Sequence, residues 1–347
     1  MNSGTGMSGR YLLGVVACIT AVLALAGCGG GDGTAGDGSA KIKIGFVVKQ
    51  PEEPWFQLEW KFADQAAADY GFELIKIGAT DGEKALTAID NLAAAGAKGL
   101  VICTPDVKLG PAIANKAEIN GLKLLAVDDR FIGADGKPME AVHYLGISAR
   151  KIGEKCGKTL YQQMTARRWD LSGTGCCVVT FDELDTTRER TEGAIAGLVA
   201  AGFPRKQIHT AAQKTSDLPG AFDAASVLLA RQPKYKRWLV AGINDSGVLG
   251  AIRAMEQGGR FNADTLIGVG INGTDCIGEL MKPEPTGFYG SVLLAAKEHG
   301  YRTAEMMYKW ISEGTEPPLD TRTTGTLITR KNFRQVLPGA GIPVPGK

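Results

Sequence analysis

The chain has almost no charge imbalance: 39 Lys and Arg stand against 37 Asp and Glu in 347 residues, a formal net charge of +2. A nucleic acid or an acidic surface is held by a clustered positive surplus, so neither is expected as a partner. Histidine is scarce, with only His143, His209 and His299, and the three stand far apart. None of the seven cysteines forms a C-x-x-C pair. The ligand spacings of a metal centre are therefore missing, and no metal or other cofactor is expected. Cys18 and Cys28 lie near the N-terminus; the other five, Cys103, Cys156, Cys176, Cys177 and Cys276, assign no disulfide and are expected mainly as small buried apolar residues. No nucleophile with its base is recognisable, so no catalytic residue is assigned.

A long apolar run is also lacking. The stretch from Tyr11 to Ala26 is about 16 residues, short of the ~20 that a bilayer-spanning helix needs. Preceded by Arg10 and free of acidic residues, it has the layout of a secretory signal over residues 1–27. Its end, Leu25-Ala26-Gly27-Cys28, resembles the bacterial lipobox, in which the cysteine becomes the lipidated first residue. An exported protein anchored through Cys28, facing the periplasm or the exterior, is expected. Residues 28–40 are Gly-rich with no large side chain to bury, a flexible tether of ~20 Å on average. Such a tether suits a body that swivels against something at the membrane.

What remains is long enough for two ordinary domains. From residue 41 onward, short apolar runs alternate with longer amphipathic stretches, the pattern of a parallel sheet covered by helices on both faces. Strands are expected at Ile42 to Val48, Phe72 to Ile77, Gly99 to Cys103, Lys123 to Val127, Val142 to Ile147, Cys176 to Phe181, Trp238 to Gly242, Leu266 to Ile271 and Gly287 to Val292. One helix is well marked: Thr80 and Glu83 read as a capping box, Leu86, Ile89 and Leu92 share a face, and Gly96 supplies the stop. The pattern breaks near Ile147 and then repeats, so the fold class is α/β with two Rossmann-like lobes, each a parallel sheet flanked by helices. Little Pro/Ser-rich linker separates them, which favours hinge strands over a disordered connector.

In open α/β sheets ligands bind beyond the carboxyl ends of the strands. There the chain places Lys49-Gln50-Pro51-Glu52-Glu53-Pro54-Trp55-Phe56, then Asp128-Asp129, Thr186 to Arg190, Asn244-Asp245 and Asn272 to Asp275. Helix N-capping accounts equally well for any one of the Asp, Asn and Thr residues. It does not account for Lys49 or Arg190. Arg188 and Arg190 lie two apart, so on a helix at most one faces a common cleft, and sequence alone does not choose. Lys49, Glu53, Asp129, Arg190, Asn244 and Asn272 sum to zero formal charge and offer donors, acceptors and two amides that are both. That balance suits a neutral polyol: carboxylates take the hydroxyl protons while Lys, Arg and amide nitrogens serve the lone pairs. Trp55 or Phe56 can lie against the apolar face of a sugar ring, or can simply pack in the core.

With these residues in place, the chain from Lys41 to about Phe333 resembles the arabinose-binding members of the type I periplasmic binding protein family. The likeness is carried by Gly45 to Gln57, Val101-Ile102-Cys103-Thr104-Pro105-Asp106, Ala126-Val127-Asp128-Asp129, Glu183-Leu184-Asp185-Thr186, Asn244-Asp245-Ser246 and Gly270-Ile271-Asn272-Gly273. It implies that Lys49, Glu53, Asp129, Arg190, Asn244 and Asn272 hydrogen-bond a monosaccharide and that Trp55 and Phe56 pack on it. Cys103, Asp128, Leu184, Thr186 and Asp275 would form the flanking shell. It further implies a three-stranded hinge joining an N-terminal lobe of residues 41–147 with 293–324 to a C-terminal lobe of residues 148–292 with 325–347. The protein would be a monomer that hands its sugar to an ABC permease driven by its ATPase. L-arabinose is the first candidate; D-galactose and D-fucose stay open behind it, because Ile147 after Gly146 stands where arabinose binders carry Met, and Leu294 where they carry Pro, and that pocket edge sets tolerance for an extra CH₂OH or methyl.

Three rival readings are weighed against this one. Gly268-Val269-Gly270-Ile271-Asn272-Gly273 spells a dinucleotide fingerprint and would make the chain an NAD-dependent enzyme. However, the apolar strand runs through its first glycine, and Phe288 and Tyr289 stand where an acidic ribose partner belongs. A sugar-responsive transcription regulator would need a basic helix-turn-helix where this chain has its signal and lipobox. A sensor that presents the loaded lobes to a chemoreceptor or histidine kinase shares every residue named above.

Overall fold

A computed structural model describes residues 41–344 and 346; the expected signal, the tether and Cys28 lie outside the described residues. Strands β1 (Lys43–Val48), β2 (Glu73–Gly78), β3 (Gly99–Ile102), β4 (Lys123–Val127) and β5 (His143–Ile147) come first in the chain. They are followed by β6 (Thr174–Thr180), β7 (Ile208–Ala212), β8 (Arg237–Gly242), β9 (Leu266–Asn272), β10 (Phe288–Leu293), β11 (Asp320–Thr323) and β12 (Thr326–Thr329). They form two six-stranded sheets, ordered β11-β5-β4-β3-β1-β2 and β12-β10-β9-β8-β6-β7. All neighbours are parallel except β12, which runs antiparallel to β10. The strand order reverses between β1 and β3 in one sheet and between β6 and β8 in the other. These are the switch points beyond which a crevice opens.

The helices are α1 (Pro54–Tyr70), α2 (Gly82–Ala94), α3 (Gly110–Ile119), α4 (Ala149–Ala166), α5 (Asp185–Ala201), α6 (Leu218–Arg231), α7 (Asp245–Glu256), α8 (Ile277–Met281), α9 (Thr303–Ser312) and α10 (Phe333–Gly339). They cover both faces of each sheet, which is why the central strands are continuous apolar runs. On β1, Ile44, Phe46 and Val48 pack toward α1 and α9, whereas Val47 packs toward α2 and α3. The second sheet divides in the same way, with α4 and α5 on one face and α6, α7 and α10 on the other. Among the described residues no helix is long and apolar enough to cross a membrane. Cys103, Cys156, Cys176, Cys177 and Cys276 are all buried and free, as small apolar residues would be.

The chain passes from sheet to sheet three times, after β5, after β10 and between β11 and β12. Lys155 on α4 donates to the Gly325 carbonyl at 2.5 Å and so ties down the last crossing.

Strands β7, β11 and β12 are absent from the expected set for one physical reason. They lie at or near sheet edges and are polar and short: Ile-His-Thr-Ala-Ala, Asp-Thr-Arg-Thr and Thr-Leu-Ile-Thr. Edges are blunted by polar residues, which removes the apolar-run signal. The cap of α2 also shifts by one residue: Asp81, not Thr80, accepts from the Lys84 backbone N–H, and the Thr80 hydroxyl accepts from Lys84 Nζ instead. The expected stop holds, since Gly96 takes φ +81°, where a side chain would be strained.

Candidate ligand-binding site

A cavity of about 230 Å³ opens between the carboxyl ends of the two sheets. From the first sheet it is walled by Lys49, Gln50, Glu53, Trp55, Phe56, Asp128, Asp129 and Ile147. From the second side come Thr186, Arg190, Asn272 and Thr274, with Leu294 from the crossing after β10.

The turn after β4 organises the first wall. Asp128 adopts φ 64°, a left-handed conformation in which Asp and Asn are enriched among non-glycine residues. The turn sends consecutive carboxylates to different partners. Asp129 Oδ2 receives Lys49 Nζ at 2.5 Å, with Cys103 Sγ behind it at 3.6 Å. Asp128 accepts from Trp55 Nε1 at 3.2 Å and His299 Nδ1 at 2.6 Å. Burial opposes the charge on Lys49, but the carboxylates of Asp129 and Asp128 outweigh it and hold the ammonium above its usual range. Burial also pushes the Cys103 thiol well up, so it presents an uncharged S–H.

Helix α1 starts at the wall itself. Glu53 occupies its N-cap position yet makes no side-chain cap bond, and Pro54 follows at the first turn, where its missing N–H is harmless. The Glu53 carboxylate is therefore an acceptor with no intrahelical duty. Phe56 is buried; Trp55 is half-buried, with its indole held by the bond to Asp128.

Arg190 sits near the start of α5, after β6, and Arg188 points away to pair with Asp185. That settles a choice which sequence left open. Arg190 Nη1 donates to the Ile243 carbonyl at 2.8 Å and to Asn272 Oδ1 at 3.4 Å, while its Nε is buried without a partner. Burial pulls the guanidinium down to about 10, still charged at neutral pH. Asn272 closes β9 at φ 104°, again left-handed.

Four expected residues are not on this wall. Asn244 caps α7, its Oδ1 accepting from Gly247 N at 2.8 Å. Leu184 is 57% exposed just before α5, and Asp275 is exposed and accepts from Ser246 Oγ at 3.2 Å. Cys103 lies behind Asp129 and not at the surface of the cavity. Gln50 and Thr274 line the cavity without having been singled out; each was adjacent to a residue that was. Glu59, buried beneath Trp55, escaped notice altogether, and His299 was noted only as an isolated histidine. The available signal was a carboxylate on the apolar face of α1, in line with Phe56, Phe62, Ala63 and Ala66.

The glycine fingerprint turns out to be packing. Gly268 and Gly270 lie inside β9 instead of opening a helix, and a Cβ on Gly270 would sit 2.2 Å from Asp245 Oδ1. Asp245 is fully buried and accepts from Ser291 Oγ at 2.5 Å and from Gly273 N at 2.9 Å. Burial, helped by the charge of Asp275 and opposed by the Ser291 bond, pushes its carboxyl up to about 7. A raised carboxyl binds more protons folded than unfolded, so its contribution to stability falls as pH rises from about 4 to 7. Asp245→Asn is expected to remove a slope of up to ~1.4 kcal/mol per pH unit in that window. Urea melts across it would show identical slopes if Asp245 did not titrate there.

Residues 41–335 match the family described as periplasmic binding proteins and sugar binding domain of the LacI family. The L-arabinose-binding periplasmic protein of Escherichia coli (strain K12) is 53% identical over 302 residues, 87% of this chain and 92% of that relative. An ABC transporter L-arabinose-binding periplasmic protein of Azospirillum brasilense is 45% identical over 304 residues, 87% of this chain and 91% of the relative. Among solved structures, a periplasmic ribose ABC transporter protein from Conexibacter woesei superposes with a TM-score of 0.72 at 20% identity, covering 87% of this chain and 96% of that one. The matched span, these relatives and the paired sheets together make the chain a member of the type I periplasmic binding protein family.

Proposed function

We propose that the protein captures a monosaccharide outside the cytoplasm, L-arabinose before D-galactose or D-fucose, by closing its two lobes, and delivers it to an ABC importer. The observation that carries this reading is the cavity's charge balance. One ammonium, one guanidinium and three carboxylates, with two amides and two aromatics, converge on a space below the ~300–1,000 Å³ typical of sites for drug-sized ligands; Asp128 is engaged by Trp55 and His299, which leaves Lys49 and Arg190 matched by Glu53 and Asp129. A phosphate or carboxylate ligand would call for surplus cations. The sugar class is supported by the names of the two arabinose-binding relatives. Lys49, Glu53, Asp129, Arg190 and Asn272 bond the hydroxyls, and Trp55 and Phe56 pack on the ring. Asn244, whose Nδ2 has only a 3.4 Å contact to the Ser216 carbonyl, joins them on closure. Export, lipidation at Cys28, the tether over 28–40 and action as a monomer complete the reading. It is a carrier and not an enzyme.

Hydrogen bonds to charged groups contribute ~1.5–3 kcal/mol each, against ~4–15 kcal/mol lost on association. Half a dozen leave roughly −8 kcal/mol, micromolar affinity or tighter. Titration calorimetry against a panel of aldoses is the test: heat from L-arabinose supports the reading, and heat from NAD with none from any aldose rejects it. In a deletion strain, unaltered sugar uptake with lost taxis or induction would assign the protein to sensing.

Ile147 closes β5 at the cavity edge. Ile147→Met is expected to change the arabinose-to-galactose affinity ratio more than the arabinose affinity itself. Equal changes for both sugars would remove Ile147 from the reading of the outer carbon.

A further inference from the structure

Glu59 has no exposed surface, and neither of its carboxyl oxygens has a hydrogen-bond partner. It faces Asp128 and His299: one oxygen from each carboxyl and one imidazole nitrogen all lie within 4.8 Å of one another. Among the described residues two donors serve this pair of carboxyls, and both are bonded to Asp128. They are His299 Nδ1–H at 2.6 Å and Trp55 Nε1–H at 3.2 Å. His299 Nδ1 is 3.7 Å from Glu59 Oε1, beyond hydrogen-bond reach, and Nε2 is engaged with Thr323 Oγ1 at 2.8 Å. The other ionisable groups around Asp128 are Asp129, Lys49 and Cys103, and the Lys49 ammonium is already paired with Asp129.

An ionised carboxylate in dry surroundings without a single donor is not a sustainable arrangement. A carboxylic acid carries its own donor and needs only an acceptor, which Asp128 provides. Burial first, and then the charge of Asp128, push the Glu59 carboxyl well above its ordinary range. Burial acts the same way on Asp128, but His299, Glu59 and Trp55 overcome it and hold Asp128 low. The two environments drive the carboxyls apart.

We propose that Glu59 is a neutral carboxylic acid that donates its proton to the Asp128 carboxylate, and that Glu59 and His299 are positioning residues for the ligand-facing Lys49–Asp129 pair. Asp128 is the residue in left-handed backbone, so its anchoring sets where Asp129 points and how the Trp55 indole lies. His299 carries the same anchor to Thr323, at the end of β11 and next to the last crossing between sheets. The positioning role rests on reading the cavity as the ligand site; the proton on Glu59 does not.

The test compares the full chain with Glu59→Gln and Glu59→Leu. In infrared difference spectra without ligand, the carbonyl stretch of a protonated carboxylic acid is expected in the wild type and absent in Glu59→Gln. The indole N–H resonance of Trp55 is expected to stay in place in Glu59→Gln, which keeps a neutral donor, and to move in Glu59→Leu. In calorimetric titrations with L-arabinose, Glu59→Gln is expected to stay within about threefold of wild type and Glu59→Leu to lose about tenfold or more. Identical infrared spectra for wild type and Glu59→Gln would overturn the protonated acid. An unmoved Trp55 resonance or wild-type affinity in Glu59→Leu would overturn the positioning role. A wild type that binds no aldose would sink the sugar reading while leaving the infrared result standing.

Discussion

Arg190→Ala is expected to lower the affinity for L-arabinose by tenfold or more, about 1.5 kcal/mol at the least. Among the described residues the guanidinium is the only cation the second sheet's side brings to the cavity. Its Nη1 is committed to the Ile243 carbonyl and to Asn272, which leaves the buried, unpartnered Nε as a donor for a ligand oxygen. Truncation acts twice. It removes a buried charge-assisted donor, and it frees Asn272, whose left-handed backbone depends on its surroundings. Arg190→Lys should not rescue it, because an ammonium cannot hold Ile243, Asn272 and a ligand at the angles of a planar fork. Titration calorimetry decides, with thermal melts to check folding; wild-type affinity in Arg190→Ala would remove this side chain from the site.

The same residue shows how far sequence reaches. Apolar runs announced eight strands buried between helix layers, because burial on both faces leaves no polar alternation to confuse the pattern, and the edge strand β2 was read from its Leu74, Ile75 and Ile77. The polar strands β7, β11 and β12 gave no such signal, and with them went the third crossing, which depends on β11 and β12 belonging to different sheets. Lys49 and Arg190 stood out because a cation at a helix start has no capping role. Asn244 did not separate from its alternative, since an amide caps and binds with the same atoms. Glu59 was hidden by position: its partners come from residues 128 and 299, and nothing local reveals that an acid in mid-helix meets both. Spacing reports what lies on one face of an element, whereas the site is made where six elements end.

Gly153→Ala should destabilise the protein and weaken binding together, although Gly153 touches no ligand. Helices α4 and α5 approach backbone to backbone at four glycines. A Cβ on Gly153 would lie 2.0 Å from the Arg190 carbonyl oxygen, and one on Gly157 would lie 2.1 Å from that of Ala194. In the other direction, a Cβ on Gly193 would lie 2.2 Å from the Arg150 carbonyl oxygen and one on Gly197 would lie 2.3 Å from that of Glu154. Helix backbone cannot turn aside as a flexible side chain can, so a single methyl pushes the pair apart, at a cost of ~1–3 kcal/mol. The same push at Gly157 acts one turn away from the cavity, whereas at Gly153 it acts on the peptide that carries Arg190. Both variants should therefore melt earlier, and Gly153→Ala should lose several-fold more affinity than Gly157→Ala. Positioning to within a fraction of an ångström is what a charged donor in a closed cavity requires. Equal losses of affinity in the two variants would mean that α5 shifts as a rigid whole; a Gly153→Ala protein that melts and binds as wild type would mean that the glycines set neither the helix spacing nor the aim of Arg190.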